Sequence, residues 1–276
     1  MIEAKGSSIG FLGGGNMASA MIGGLLGCGW QSADLMATDV DPAARGRLSD
    51  TYSVRTSPDA AETVRASRCV VLAVKPQQLR DLCAGIAGSL EDRLVVSIAA
   101  GIRTPDLSRW LGGHRRIVRV MPNTPALLRA GISAAYALPE VPPSDRQSAD
   151  ALLQAIGKVM WVEDETLMDG VTAVSGSGPA YAFYLIEAMQ EAARRLGFTD
   201  EQGRLLSVET VLGAAKLAEA SQDPAAVLRA RVTSKAGTTE RALSVMEAHD
   251  TKAHLVEAIL AAAERSRELG DALGRD

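Results

Sequence analysis

Aromatic residues are scarce in this 276-residue chain: three Trp, four Tyr and three Phe make up 4% of it, so stacking platforms for bases or sugars are few and the core must be aliphatic. Three cysteines, Cys28, Cys69 and Cys83, are too few and too widely spaced for a disulfide framework or a zinc ribbon, and their odd number fits a reducing, cytoplasmic compartment. No apolar run reaches the ~18–20 residues of a membrane span, because each ends at Gly, Pro or a charge. The stretch 9–26 has the apolarity of a signal peptide's core, yet it carries Asn16 and a glycine cluster and shows no clear small-residue cleavage site. Charge of one sign is lacking too: 29 basic against 33 acidic side chains give a net charge of −4, no electrostatic footprint for nucleic acid or anionic lipid. Histidine is limited to His114, His249 and His254, with no H-E-x-x-H pattern, so no metal is expected.

What is present is ordinary for a soluble globular chain, with 47% hydrophobic and 22% charged residues, which excludes a largely disordered or collagen-like polymer. The length exceeds the ~100–200 residues typical of one domain, so one large or two modest domains are expected. Up to residue 163, short β-branched runs alternate with helical patterns, the signature of a doubly wound, mostly parallel α/β sheet. Strands are predicted at 8–12, 35–38, 69–74, 94–98, 117–120, 132–137 and 159–162, with a short one near Val54. Asp41–Pro42, Ser57–Pro58 and Thr104–Pro105 read as helix caps with proline at the first helical position. From 164 to 276 the strand signal vanishes and an all-α domain is expected, with starts at Gly178–Pro179 and Asp223–Pro224 and a capping box at Thr199 and Gln202. A last helix, 251 to 273, carries Leu255, Val256, Ile259, Leu260, Ala262 and Ala263 on one apolar face. That face needs a cover, either from the same domain or from a second copy.

The first strand runs into Gly13-Gly14-Gly15-Asn16-Met17-Ala18, a G-x-G-x-x-A turn between strand and helix. Gly13 permits the tight turn, Gly15 admits a pyrophosphate to the backbone, and Ala18 allows close helix packing, with the helix N-terminus facing the phosphate charge. After Thr38, Asp39 stands at the end of the second strand, about 20 residues on, where an acid accepts ribose hydroxyls and favours NADH. Arg45 and Arg47 follow on the next helix and could take a 2′-phosphate, so NADPH and NADH both remain open. Ala73-Val74-Lys75-Pro76 ends another strand at the carboxyl edge of the sheet, where Lys75 faces a phosphate, a substrate, a carboxylate partner or solvent. Small residues Ala99, Ala100 and Gly101 leave room for a flat ring after the next strand, and Met121-Pro122-Asn123-Thr124-Pro125 is a rigid polar loop. In the helical part, Ser175-Gly176-Ser177-Gly178 opens a long helix, and Val232-Thr233-Ser234-Lys235-Ala236-Gly237-Thr238-Thr239 clusters hydroxyls and amides at another helix start, a nest for a carboxylate or simply a cap. A dinucleotide enzyme without a histidine dyad or metal cluster suits a substrate that needs little acid–base help, such as an imine that already carries its proton.

Taken together, IGFLGGGNMASAMIGGLL at 9–26, AVKPQ at 73–77, SIAAG at 97–101, MPNTPA at 121–126, AVSGSGPAYAF at 173–183 and VTSKAGTTERAL at 232–243 make the chain resemble the pyrroline-5-carboxylate reductase family over essentially its whole length. The resemblance implies a Rossmann-type dinucleotide-binding domain, 1–163, followed by a helical dimerisation and substrate-binding domain, 164–276, with two chains intertwined and larger rings of dimers known in the family. It implies reduction of 1-pyrroline-5-carboxylate to L-proline, with hydride passing from the reduced nicotinamide to C5 of the cyclic imine. By the same likeness, Gly13 to Ala18, Thr38, Asp39 and Ala73 to Pro76 hold the dinucleotide, and Ala99, Ala100, Gly101 and Asn123 border the nicotinamide. Ser177, Ser234, Gly237, Thr238 and Thr239 hold the substrate, and Thr239 and Lys75 are the catalytic candidates. Two positions depart from the family pattern: Asp39 stands where many relatives have a small hydroxyl residue, and Ser57-Pro58-Asp59-Ala60 lacks an Asn that often touches the adenosine. Reduction of a related cyclic imine is one alternative. A β-hydroxyacid dehydrogenase is another, but the lysine that family places after G-x-G-x-x-x is Ala182 here.

Overall fold

A computed structural model describes residues 8–275. Eight strands form one sheet: β1 (Ile9–Leu12), β2 (Leu35–Thr38), β3 (Arg55–Ser57), β4 (Cys69–Leu72), β5 (Leu94–Ser97), β6 (Ile117–Met121), β7 (Gly131–Ala137) and β8 (Gly157–Trp161). Their order is β3-β2-β1-β4-β5-β6-β7-β8. All pairs are parallel except β6 with β7. The central strands IGFL, CVVL and LVVS are buried along their whole length, as strands covered on both faces must be. Right-handed crossovers then dictate the layers. Helices α1 (Asn16–Gly27) and α2 (Pro42–Tyr52) carry the chain outward from β1, while α3 (Ala60–Arg65), α4 (Pro76–Ile86) and α5 (Thr104–Trp110) pack beside one another in series. Helix α6 (Pro143–Gln154) joins β7 to β8 and lies against α1.

All eight predicted strands are present, with ends shifted by a few residues. β4 stops at Leu72 rather than Val74, where the chain meets the turn after β1. β8 begins earlier than predicted, at Gly157, which pairs with Gly131 of β7 at φ 145° where a side chain would collide with the Gly131 carbonyl. Asp41 caps α2 as expected, accepting from the Ala43 N–H at 2.9 Å. Three other caps are corrected. Ser57 belongs to β3, and Asp59 caps α3 instead by accepting from the Ala61 N–H. Thr104 is already helical, and its N–H is satisfied at 2.8 Å by the Glu165 carboxylate, a partner 61 residues away that no local pattern reveals. Asp223 lies before α10 (Ala225–Arg231), with Pro224 in the cap position, and its carboxylate accepts from Arg231.

Glu165 also pairs with Arg119 of β6 at 2.9 Å, and the Arg119 side chain is only 4% exposed. A buried guanidinium must be matched by charge and hydrogen bonds, and this carboxylate supplies the charge while accepting from Thr104 through both of its oxygens.

The chain divides into two compact units. The sheet unit runs to Gly176 and takes up the chain again from Ala262, and it includes α7 (Leu167–Val171) and a π-helical turn, Thr172–Gly176. Within it, the end of α12 (Thr251–Leu273) is held by Ser266 donating to Asp169 at 2.6 Å and by an Arg103–Asp271 ion pair. The other unit, Ser177–Ala261, contains α8 (Gly178–Arg195), α9 (Asp200–Ala220), α10, α11 (Thr238–Ala248) and the first part of α12. Its α8–α9 hairpin turns at Gly197, φ 93°, and the predicted Thr199/Gln202 capping box opens α9. Helix α8 grows directly out of the π-helical turn, so Gly178 is its first residue and Ser177 caps it without a side-chain bond.

Replacing Glu165 with Ala should destabilise the chain by about 3 kcal/mol, because it leaves Arg119 buried without a counter-charge. Urea denaturation measures this, and an unchanged midpoint would mean that the pair is not structural.

Candidate active site

The site is built where β1, β2 and β4 end together. Gly13 adopts φ 110°, donates its N–H to the Thr38 carbonyl at 2.8 Å, and sits where an added Cβ would lie 2.6 Å from the Ala73 carbonyl oxygen. No other residue type fits there. Gly14 donates its N–H to Asp39 Oδ2 at 2.8 Å, and Asp39 Oδ1 accepts from the Asp41 N–H at 2.9 Å. Gly15 is the N-cap of α1 with no side-chain cap, and a Cβ built on it would meet nothing within 4 Å. The first turn of α1, with Asn16 and Met17, therefore opens onto unfilled space with backbone N–H groups that have no intrahelical partner. Helix α4 also starts at this edge, with Lys75 in its N-cap position and Pro76 as its first residue.

Between these elements lies a cleft of about 400 Å³, lined by Gly13, Gly14, Gly15, Thr38, Asp39, Ala73, Val74 and Lys75. Thus eight of the sixteen predicted dinucleotide residues come together in the cleft lining. Thr38 lines the cleft mainly as structure, since its hydroxyl is hydrogen-bonded to that of Thr63 at 2.5 Å. Ala18 is buried under the turn. Leu12, Val40, Pro58, Ala60, Gln78 and Leu82 complete the lining; of these, the sequence singles out only the segment of Pro58 and Ala60, for an Asn it lacks. Val40, 83% exposed immediately after Asp39, is the one sequence neighbour that could have marked the mouth.

Ala99, Ala100, Gly101 and Asn123 lie outside this cleft lining. Ala99 is buried, and Gly101, at φ 79°, abuts Gly270 of α12. Asn123 ties three segments, donating to the Ser175 carbonyl and hydroxyl at 3.4 and 3.3 Å and accepting from the Ile132 N–H at 3.0 Å. The rigid Met121–Pro125 loop is thereby pinned to the π-helical turn, a backbone form common at functional sites. Gly176 lies under the end of the Met121 side chain, which a Cβ at that position would displace.

In the helical unit, Ser234, Gly237, Thr238 and Thr239 form one tight turn into α11. Gly237 is the N-cap without a side-chain cap, its N–H bonds to the Ser234 carbonyl at 3.0 Å, and a Cβ on it would meet Ser234 Oγ at 2.4 Å. Ala236 holds φ 57°, unusual for a residue with a side chain, and its N–H is fixed by Glu240 Oε2 at 2.7 Å. Sequence reasoning missed Glu240, although it stands one residue after Thr239. Burial pushes the Cys69 and Cys83 thiols up to about 12, which removes both as nucleophiles. Burial also lowers the His114 pKa, and its ring donates to the Arg93 carbonyl, outside the cleft lining.

A glycine turn without a side chain over open space, backed by two helix N-termini, fits a pyrophosphate, and with the doubly wound sheet it defines a Rossmann-type dinucleotide-dependent oxidoreductase. Residues 165–269 match the family model for pyrroline-5-carboxylate reductase dimerisation, and residues 8–101 match that for NADP oxidoreductase, coenzyme F420-dependent. The chain is 44% identical over 268 residues to a pyrroline-5-carboxylate reductase of Pseudomonas aeruginosa, covering 97% of this chain and 98% of the relative. A solved structure of the Coxiella burnetii pyrroline-5-carboxylate reductase superimposes with a TM-score of 0.90 at 39% identity, covering 95% and 98% of the two chains. That of the Plasmodium falciparum pyrroline carboxylate reductase with NADP bound gives 0.87 at 26% identity, covering 96% and 99%. The chain belongs to the pyrroline-5-carboxylate reductase family.

Two glycine substitutions separate structure from binding. Gly13→Ala should cost about 3 kcal/mol of stability through strain and collision with Ala73. Gly15→Ala should change stability by less than about 1 kcal/mol yet weaken dinucleotide binding, because its methyl fills the space left for phosphate. Thermal unfolding and a fluorescence titration with reduced dinucleotide read the two effects separately. Equal behaviour of the two variants in both assays would contradict the assignment.

Proposed function

We propose that this chain reduces 1-pyrroline-5-carboxylate to L-proline, the final step of proline biosynthesis, with NADPH or NADH as reductant. The observation that carries the reading is the 44% identity to a pyrroline-5-carboxylate reductase across nearly the whole of both chains. It outweighs the alternative of a hydroxyacid dehydrogenase, whose expected lysine is Ala182.

When bound, the dinucleotide supplies the hydride. The chain's own residues bind and orient. In this reading the Gly13–Gly15 turn and the N-terminus of α1 hold the pyrophosphate, with Asn16 to Ala18 forming that first turn, while Thr38, Asp39 and the segment Ala73 to Pro76 flank it. Ala99, Ala100, Gly101 and Asn123 border the nicotinamide, and Asn123 keeps that border rigid through Ser175 and Ile132. Ser177, Ser234, Gly237 and Thr238 receive the substrate carboxylate and ring, and the Thr239 hydroxyl faces the imine nitrogen. Lys75 supplies positive charge at the cleft. Orientation is the main contribution, since holding two reactants in near-attack geometry is worth roughly 7–11 kcal/mol.

The functional division we propose is a dinucleotide-binding part to residue 163 and a helical part from 164, supported by the family match that begins at residue 165. In the helical unit, Phe183, Tyr184, Leu205, Leu217 and Leu260 are each more than 60% exposed, and α10 and α11 bury no residue. Such helices need a cover. A homodimer with intertwined helical parts supplies it, and rings of such dimers are the larger assembly in this reading. Among the described residues no helix is long and apolar enough to cross a membrane. The exposed Cys28 thiol fits a reducing compartment, and we place the protein in the cytoplasm.

The test is loss of nicotinamide absorbance on mixing the protein and reduced dinucleotide with pyrroline-5-carboxylate. Turnover is expected, and Thr239→Ala should lower kcat/KM for the imine roughly tenfold or more without changing dinucleotide affinity. Folded protein that binds dinucleotide but turns over no pyrroline-5-carboxylate would refute the substrate assignment.

A further inference from the structure

The segment after β5 leaves the sheet beside the cleft. Ile98 donates its N–H to the Leu72 carbonyl at 3.2 Å, so Ala99, Ala100 and Gly101 begin next to the Ala73–Lys75 wall, at the edge where parallel strands present ligands. Gly101 then turns at φ 79° and meets the last turns of α12. The two backbones cross with a glycine on each side. A Cβ on Gly270 would lie 2.8 Å from the Gly101 carbonyl oxygen, and one on Gly101 would lie 3.6 Å from the Gly270 nitrogen. Gly270 is buried in this crossing. Arg103 ties the same segment to the same helix end, its Nη1 pairing with Asp271 Oδ1 at 2.7 Å and its Nη2 donating to the Arg267 carbonyl at 3.3 Å. The helix end is itself anchored, by Ser266 donating to Asp169 at 2.6 Å and by Arg109 donating to the Gly274 carbonyl at 2.6 Å. The segment 99–101 therefore rests on a fixed support, and the missing side chain at 270 sets the spacing.

We propose that Gly270 and Asp271 are positioning residues for hydride transfer, which hold the Ala99–Gly101 segment in place through the backbone contact at Gly101 and the ion pair at Arg103. The inference rests on the reading of that segment as the border of the nicotinamide. A methyl group at 270 would face a main-chain carbonyl, which cannot swing aside as the end of a side chain can, so the Gly101 peptide has to shift by several tenths of an ångström. The Arg103 guanidinium, 3.3 Å from the same methyl position, is a flexible end and gives way. Hydride transfer is steep in such a displacement, because the reacting atoms must be held at near-attack separation.

The test compares Gly270→Ala, Asp271→Ala and a control, Gly274→Ala, in the full chain. Gly274 follows the same helix end, but a Cβ there meets the Asp106 carboxylate, a side-chain end. Turnover of pyrroline-5-carboxylate gives kcat and KM, and calorimetry gives the affinities for NADPH and for its fragment 2′,5′-ADP, which lacks the nicotinamide. Gly270→Ala should lower kcat about tenfold, since an ångström of misplacement costs roughly a hundredfold. It should weaken NADPH roughly threefold or more and leave 2′,5′-ADP within about twofold of wild type. Asp271→Ala, which adds no bulk at a half-exposed position, should lower kcat in the same direction and decides the question if Gly270→Ala does not fold. Gly274→Ala should change neither quantity. Unchanged kcat in folded Gly270→Ala, or in Asp271→Ala where the glycine variant does not fold, would overturn the inference. Equal losses of NADPH and 2′,5′-ADP would overturn it too, because they mark general damage. Ala100→Val, at an exposed position of the segment, tests the underlying reading. Wild-type kcat and NADPH affinity in that variant would mean that the segment does not border the nicotinamide, and the inference would fall with the reading. Impairment in Ala100→Val with none in Gly270→Ala would overturn the inference alone.

Discussion

The turn at Gly13 is the constraint on which the rest of the site depends. Three strand ends converge there, and the backbone passes so close to the Ala73 carbonyl that only a glycine, at φ 110°, can occupy the crossing. From this one contact follow the exit angle of α1, the exposure of Gly15 to the cleft, and the approach of Gly14 to Asp39. The parallel sheet brings these ends together because parallel strands all finish at the same edge, and the helices that follow must start there. An open backbone turn at the strand ends is thus a by-product of topology, sharpened by the absence of side chains at three consecutive residues.

A second constraint lies on the far side of the sheet unit. Arg119, buried in β6, meets Glu165, which also satisfies Thr104 at the head of α5. Glu165 sits just before α7 and the π-helical turn that Asn123 grips through Ser175. The polar loop after β6 is therefore held both by its own prolines and by a buried charge network a few residues upstream in the strand. Such networks set one arrangement among several of similar hydrophobic content, at a desolvation cost that apolar residues would avoid.

The turn after β1 was legible because it is local: a strand, three glycines and a helix are contiguous, and the acid on the next strand falls at a fixed interval. The mostly parallel sheet followed from short apolar runs alternating with helical patterns, and every predicted strand is present. What escaped reading was non-local. The cap of α5 comes from Glu165, and Asp223 is used by Arg231 rather than by the helix it precedes. Asn123 was foreseen as polar and fixed, but not that its amide is spent on Ser175 and Ile132. Asp39 was foreseen by its position, but not that its carboxylate accepts from the Gly14 and Asp41 N–H groups. In the helical unit the pattern could not decide between a self-contained bundle and a shared one. In the single chain Phe183, Tyr184 and Leu260 of that unit stand exposed.

We propose that the chain supplies two separate recognition surfaces, a glycine turn for the dinucleotide and the Ser234–Thr239 turn for the imino acid. Amide hydrogen exchange on the intact protein tests this directly, with NADP alone and then with NADP and proline together. The account predicts that NADP slows exchange at residues 13–18, 38–40 and 73–78, and that adding proline slows it further at 234–240. Protection by proline confined to the glycine turn, or absent from 234–240 while activity is intact, would contradict it.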